Sequence, residues 1–291
     1  MIKKKIIYFG TPIFSVCFLR SLNESGLFDI VTVISEPDRQ TGRGRKVTPT
    51  PIKQYCLDNN LICVQPEKVA TLKDRLIDLK PDIGIVVAYG QIIPDSIINI
   101  PSFGTVNVHP SDLPKYRGPA PIQSALINGD RKTAISIMKI DSKMDHGPIL
   151  DKKELEISVD DNYDMLEKKI LNIAPRLLIH SLNQYLNKQI HPVNQNHEFA
   201  SYTKMLKKVD GLIDWNKSAM EIHNQVRAYS NWPRAYTFIE NKRLIFLKTK
   251  IIAGKLYPIL VQLEGKKPAS WKNFITGRKN PLPKQLTDKI S

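Results

Sequence analysis

The first 190 residues alternate short apolar runs with stretches in which apolar positions recur at three and four, the pattern of strands joined by amphipathic helices. The runs Lys5 to Phe9, Asp29 to Ile34, Ile83 to Ala88 and Thr105 to Val108 predict strands, and Ile13 to Glu24, Pro51 to Asn59 and Thr71 to Leu79 predict the helices between them. Connections of that length imply parallel strands with right-handed crossovers, hence an open α/β sheet. Ile135 to Ile140 and a segment from Pro148 read as further strands. Tyr163 to Leu186 predicts a longer helix that closes this part, and Pro175 is expected to bend or break it.

Beyond that point the pattern changes. Residues 187 to 203 are polar and interrupted by Pro192, which suits a linker. Ser218 to Tyr229 then predicts a helix, and Ala235 to Ile239, Leu244 to Thr249 and Pro258 to Leu263 predict the strands of a small barrel or sheet. The stretch after Gly277, with Pro281, Pro283 and several lysines, reads as a loose tail. A chain of 291 residues accommodates two such cores: a domain over 1–190, a linker over 191–203, a second domain over 204–280 and a tail over 281–291.

Composition removes several classes. Hydrophobic residues at 42% and charged residues at 24% fit an ordinary globular chain and argue against wholesale disorder. The opening MIKKKIIYFG has a basic cluster before an apolar run, but the run stops at Gly10 and is too short for a signal peptide. Since no apolar stretch is long enough to span a bilayer, a cytoplasmic monomer without membrane attachment is expected. Cys17, Cys56 and Cys63 form no C-x-x-C pair, so neither a disulfide framework nor a zinc site is expected.

The charge changes the picture more. Of the net +15, residues 201–291 carry +12, with 18 Lys+Arg against 6 Asp+Glu. A basic terminal third predicts a polyanionic partner, nucleic acid ahead of membrane; solubility is the competing explanation.

Parallel sheets carry ligands at the carboxyl ends of their strands, which directs attention to the segments after Phe9, Ile34, Ala88 and Val108. After Phe9 stands a lone glycine in GTP, so the dinucleotide fingerprint is missing. The fourth strand leads into NVHPSDLPKYRGPAPIQ, where Asn107 and His109 lie two apart and share a face. Prolines 110, 114, 119 and 121 stiffen the downstream backbone, and Gly118 permits a tight approach. In KIDSKMDHGPIL, Asp141 and Asp145 stand beside Gly147; if this loop folds over the sheet end, a carboxylate reaches His109 and orients its proton.

No nucleophile elbow and no zinc-spaced histidines accompany these groups, which points to direct attack by a substrate. An amine attacking a formyl carbon forms a tetrahedral oxyanion that Asn107 and protonated His109 would stabilise while a carboxylate manages the amine proton. A strand-end Asn and His satisfied by backbone, with a turn aspartate, is the plain alternative. SEPDRQTGRGRKVTPTPIK sets Arg39, Arg43, Arg45 and Lys46 among Gly42 and Gly44, a loop suited to phosphates. In DIGIVVAYGQIIP, the backbone of Ala88, Tyr89 and Gly90 is placed to grip a flat heterocycle.

The segments FGTPIFSVCFLRSL, EPDRQTGRGRKVTPTPIK, VVAYGQIIP, NVHPSDLPKYRGPAPIQ and MDHGPIL, followed by IDWNKSAMEIHNQVRAYSNWPRAYTFI and GKKPASWKNFITG, resemble the folate-dependent formyltransferase family over most of the chain. The resemblance implies a Rossmann-like domain followed by a small OB-like β-barrel, 10-formyltetrahydrofolate as formyl donor and no metal. It implies Asn107, His109 and Asp145 as the catalytic trio, and Ser111, Asp112, Leu113 and Pro114, with Ala88, Tyr89 and Gly90, as the folate site. The trio is common to glycinamide ribonucleotide and sugar-amine enzymes of the family. The GRGRK loop and the IDW and NWP segments resemble the branch acting on initiator methionyl-tRNA, which implies tRNA contacts at Arg39, Arg43, Arg45 and Lys46 and at Lys204, Lys207, Lys208, Lys242 and Arg243. A sugar-nucleotide amine formyltransferase, a formyl-folate hydrolase and a catalytically silent tRNA-binding protein are the alternatives. Two departures stand out: Asp112 occupies a position where the family usually has leucine, and the stretch from Lys250 to Gly265 is short, so the barrel is expected to be truncated.

Overall fold

A computed structural model describes residues 3–41, 46–278, 280–282, 287 and 290. The chain begins β1 (Lys4–Gly10), α1 (Ile13–Ser25) and β2 (Phe28–Ile34), followed by β3 (Arg39–Thr41) and β4 (Lys46–Thr48). Next come α2 (Pro51–Asp58), β5 (Cys63–Val64), α3 (Lys73–Leu79), β6 (Ile83–Val87), α4 (Asp95–Ile98) and β7 (Thr105–His109). After α5 (Pro121–Ile127) come β8 (Lys132–Lys139), β9 (Ile149–Glu156) and α6 (Tyr163–Leu186).

One seven-stranded sheet has the order β5-β2-β1-β6-β7-β8-β9, in which β5, β2, β1, β6 and β7 are parallel and β8 runs antiparallel to β7. Ile6, Ile7, Tyr8 and Phe9 are all fully buried, because the central strand of such a sheet is covered on both faces and so reads as an unbroken apolar run. The chain progresses outward in one direction from β1 and in the other from β6. Their adjacent carboxyl ends therefore form the switch point where such folds receive ligands.

Pro175 does not break the helix: α6 is continuous from Tyr163 to Leu186. Leu166, Ile170, Ala174, Leu178 and Leu182 are fully buried at four-residue intervals on both sides of the proline. Burial of about 1.5–3 kcal/mol per large side chain outweighs the roughly 3 kcal/mol that an interior proline costs. Where the sequence predicts only a loop, β3 and β4 pair as an antiparallel hairpin; Gly42, Arg43, Gly44 and Arg45 lie outside the described residues.

Contacts divide the chain into two units, residues 1–117, 134–153 and 170–200 in the first and 118–133, 154–169 and 201–291 in the second. The second holds α7 (Ala219–Ala228) and a four-stranded sheet of β10 (Ala235–Ile239), β11 (Lys242–Ile252), β12 (Lys255–Leu263) and β13 (Ala269–Ser270), with α8 (Trp271–Thr276) after it. All three pairings are antiparallel, giving a small open sheet, as the short Lys250 to Gly265 stretch leads one to expect. Two-residue turns with positive φ, Glu240-Asn241 (+50° and +61°) and Ala253-Gly254 (+48° and +77°), set both hairpins and let β11 and β12 run longer than their apolar patterns predict. Ser218 and Glu221 form a reciprocal capping box that starts α7. Most of the expected tail over 281–291 lies outside the described residues. Among the described residues no helix is long and apolar enough to cross a membrane.

Candidate active site

Asn107 and His109 close β7, whose register against β6 pairs Asn107 with Val86. The Ala88-Tyr89-Gly90 turn therefore leaves the sheet beside them. On the other flank His109 pairs with Ser136 of β8. The β8–β9 loop then brings Asp145 back over the strand ends. Asn107 Nδ2 donates to Asp145 Oδ1 at 3.4 Å, and His109 Nδ1 lies 3.6 Å from Asp145 Oδ2. The three residues that the sequence singles out for chemistry are thus brought together across 38 residues of chain.

His109 Nε2 is 2.9 Å from the carbonyl oxygen of Tyr116, an atom that only accepts, so Nε2 carries a proton. The Nδ1 edge is left facing Asp145. Contacts of 3.4 and 3.6 Å hold the side chains in proximity at distances long enough for a fourth group to bind among them. Asp145 adopts φ +48°, a left-handed conformation uncommon for a residue with a side chain.

The segment after His109 is built from within. The Ser111 hydroxyl donates to Lys115 O at 2.6 Å, and Ser136 Oγ bridges Ser111 O at 2.7 Å and Leu113 N at 3.4 Å. Ser111 and Leu113 are accordingly buried, while Asp112 reaches outward to Lys152 Nζ at 2.6 Å. Lys152 also donates to Leu113 O, so the Asp112 carboxylate meets a lysine tied to the same segment. In the neighbouring turn Ala88 has φ +49° and Gly90 φ +107°, and a Cβ on Gly90 would fall 2.8 Å from the Glu36 carboxyl carbon. Thr11 Oγ1 donates to Tyr89 O and tethers this turn to the end of β1. The Tyr89 ring points inward, edge-on to Phe9 at 5.6 Å. Desolvation, with the charge of Glu36, pushes its hydroxyl up to about 12. That buried hydroxyl has no hydrogen-bond partner among the described residues.

Comparison with known proteins gives this geometry a family. A profile described as formyl transferase matches residues 4–182, and one described as formyl transferase, C-terminal domain, matches residues 205–257. A methionyl-tRNA formyltransferase of Sulfurihydrogenibium sp. (strain YO3AOP1) is 43% identical over 255 residues, 87% of this chain and 82% of that protein. The chain belongs to the formyl transferase family. A second relative of the same name, from Thermodesulfovibrio yellowstonii, is 40% identical over 94% of this formyl transferase and 96% of its own length. Among solved structures, the methionyl-tRNA formyltransferase from Clostridium thermocellum has a TM-score of 0.60 at 20% identity, covering 90% of this chain and 98% of that one. The N-formyltransferase from Helicobacter canadensis, in complex with folinic acid and dTDP-3-aminofucose, has a TM-score of 0.67 at 20% identity and covers 90% and 93%. At that identity the two structures establish a shared fold. The fold is mixed α/β with a Rossmann-like, mainly parallel sheet and a small antiparallel sheet in the C-terminal part.

The residues read for tRNA fall on two regions of this formyl transferase. Arg39 lies on β3, exposed, 3.3 Å from Glu36; Lys46 opens β4, while Arg43 and Arg45 lie outside the described residues. Lys204, Lys207, Lys208 and Lys242 are exposed, and the Arg243 guanidinium stacks 5.4 Å above the Tyr236 ring. Sequence reasoning missed the groups that hold the site from behind: Ser136, the Tyr116 carbonyl, Arg117 and Gln195. Ser136 sits in a strand like any other, and backbone atoms leave no mark in a sequence. Gln195 lies in the polar stretch read as a linker, yet it is buried.

Proposed function

We propose that this formyl transferase moves the formyl group of 10-formyltetrahydrofolate to the α-amino group of initiator methionyl-tRNA, giving formylmethionyl-tRNA for translation initiation in the cytoplasm. The observation that carries the chemistry is the convergence of Asn107, His109 and Asp145 at the ligand end of the sheet. The names of the relatives at about 40% identity carry the choice of acceptor.

In this reading the amine nitrogen attacks the formyl carbon, and the carbonyl electron pair moves to oxygen. Asn107 Nδ2 and the protonated Nδ1 of the His109 imidazolium donate to the oxyanion, and Asp145 takes the amine proton. Collapse breaks the bond to the folate nitrogen, which leaves with a proton returned through the same carboxylate. The Ala88 to Gly90 backbone and the Ser111 to Pro114 turn hold the folate. Residues 204–280 serve as the tRNA-holding domain, with Lys204, Lys207, Lys208, Lys242 and Arg243 facing phosphates.

The direct test is incubation with 10-formyltetrahydrofolate and charged initiator tRNA, followed by detection of formylmethionine. Parallel reactions offer a sugar-nucleotide amine or no acceptor at all. Formyl transfer to the tRNA alone is expected. Transfer to the sugar amine, or folate hydrolysis without an acceptor, would replace this reading with the corresponding alternative.

A further inference from the structure

Behind Asp145 stands an amide with no part in the formyl transfer itself. Gln195 is 6% exposed, and its Nε2 donates to the backbone carbonyls of Asp145 at 2.9 Å and Gly147 at 2.7 Å. Its Oε1 accepts from Arg117 Nε at 3.2 Å and Nη2 at 2.6 Å. Arg117 is 1% exposed, the largest fully buried side chain of the chain's described residues. A guanidinium has only donors, so it fixes which end of the Gln195 amide is oxygen; the nitrogen must then face the loop. The two carbonyls that it grips flank His146, and the first belongs to Asp145 itself, the residue held at φ +48°.

A second contact fastens the same loop. Arg117 Nη2 also donates to His197 Nδ1 at 2.8 Å, and the His197 ring stacks on His146 at 4.0 Å with the planes 9° apart. His146 Nδ1 in turn is 2.6 Å from Asp141 Oδ2. Desolvation, then the charges of His146, Arg117 and Lys143, keep His197 below the ordinary imidazole range, which suits a ring nitrogen that accepts from arginine. Gly147 completes the fit: a Cβ there would collide with Lys139 O, so the loop lies flush on the end of β8.

We propose that Gln195, oriented by Arg117, is a positioning residue that aims the Asp145 carboxylate at His109 and Asn107. The inference rests on the reading of Asp145 as a catalytic residue. A hydrogen bond on the carbonyl of Asp145 itself and a second two residues on, at Gly147, fix the backbone that follows the Asp145 Cα and so limit where its side chain can point, and a misplacement on the order of 1 Å costs roughly a hundredfold in rate.

The test uses the full-length protein and single-turnover formylation of methionyl-tRNA. Gln195→Glu keeps the side-chain length and an acceptor for Arg117, but sets a carboxylate oxygen against two carbonyls. Gln195→Met removes the bonds without the repulsion. Both are expected to lower kcat, by about ten- to a hundredfold for the glutamate, while KM for methionyl-tRNA and the Kd for 5-formyltetrahydrofolate stay within about threefold of the parent because the binding surfaces are untouched. In an Asp145→Asn background Gln195→Glu should add almost nothing, since the group it aims is already gone. Equal losses in the two backgrounds, parent kcat in both Gln195 variants, or failure of both to fold would make Gln195 a residue of the scaffold and overturn the inference. Parent turnover in Asp145→Asn alone would instead overturn the catalytic reading on which it stands.

Discussion

At the level of single residues, the site depends on how closely backbone can approach backbone and on where three side chains end. Gly147 cannot carry a methyl group without colliding with Lys139 O and crowding its carbonyl carbon at 3.0 Å, and neither can yield because both are main chain. Gly147→Ala should therefore lift the loop that carries Asp145, lowering stability by about 1–3 kcal/mol, as overpacking commonly does. Turnover should fall further than that loss alone explains. Denaturant titration alongside the formylation rate checks both, and a variant with parental turnover would show that the loop tolerates the shift. If His109 donates to the oxyanion, His109→Ala should cost about a hundred- to a thousandfold in kcat with tRNA affinity nearly unchanged. A rate within a few-fold of the parent would remove His109 from the mechanism.

The elements follow from local rules to different degrees. Helix α7 is legible because its apolar positions repeat at helical spacing and Ser218 and Glu221 write a capping box into the sequence. What the pattern conceals is that polar residues of α7 are buried as well. Arg227 donates to Leu126 O at 3.1 Å, at the carboxyl end of α5, and to Asp161 O at 3.1 Å. His223 is buried with Nδ1 2.8 Å from Thr249 Oγ1. Desolvation, then the charge of Arg227, lowers the His223 pKa below its ordinary 6.5. Below that value the unfolded chain takes up a proton that the folded state resists, so stability present at neutral pH declines as pH falls through 6.5 toward the folded pKa. Thermal unfolding should thus occur at a lower temperature at pH 5.5 than at pH 7.5. His223→Gln, which does not titrate, should narrow the difference; an unchanged difference would assign the pH dependence to other groups.

For the whole molecule the dominant feature is charge, with +12 of the net +15 carried by residues 201–291. If these cations hold phosphates, neutralising Lys204, Lys207, Lys208, Lys242 and Arg243 should weaken tRNA binding and flatten its salt dependence, by a slope of roughly 0.7 to 0.9 per contact removed. If the segment carrying Arg43 and Arg45 positions the amine, neutralising both should act on the rate as well. Affinity across a salt series, paired with single-turnover formylation, separates the two. Parent slope and rate in both variants would make the basic balance a matter of solubility.

The α/β pattern, the order of strands and helices and the identity of the Asn-x-His pair were all written locally, since hydrophobic periodicity and two-residue alternation act between near neighbours in the chain. The parallel sense of the early strands could also be anticipated, because connections of helical length leave few alternatives. Asp145 was a candidate on sequence, but its meeting with Asn107 required β8 to turn back beside β7, a contact between residues 38 apart. The continuity of α6 through Pro175 was decided by a buried stripe whose stabilisation exceeds the local penalty. Gln195 and Arg117 lie 78 residues apart and carry no periodic or compositional mark. Only the folded chain could bury a guanidinium against that amide, because the satisfaction of buried polar groups is settled by what tertiary packing places within about 3 Å, and no local pattern encodes it.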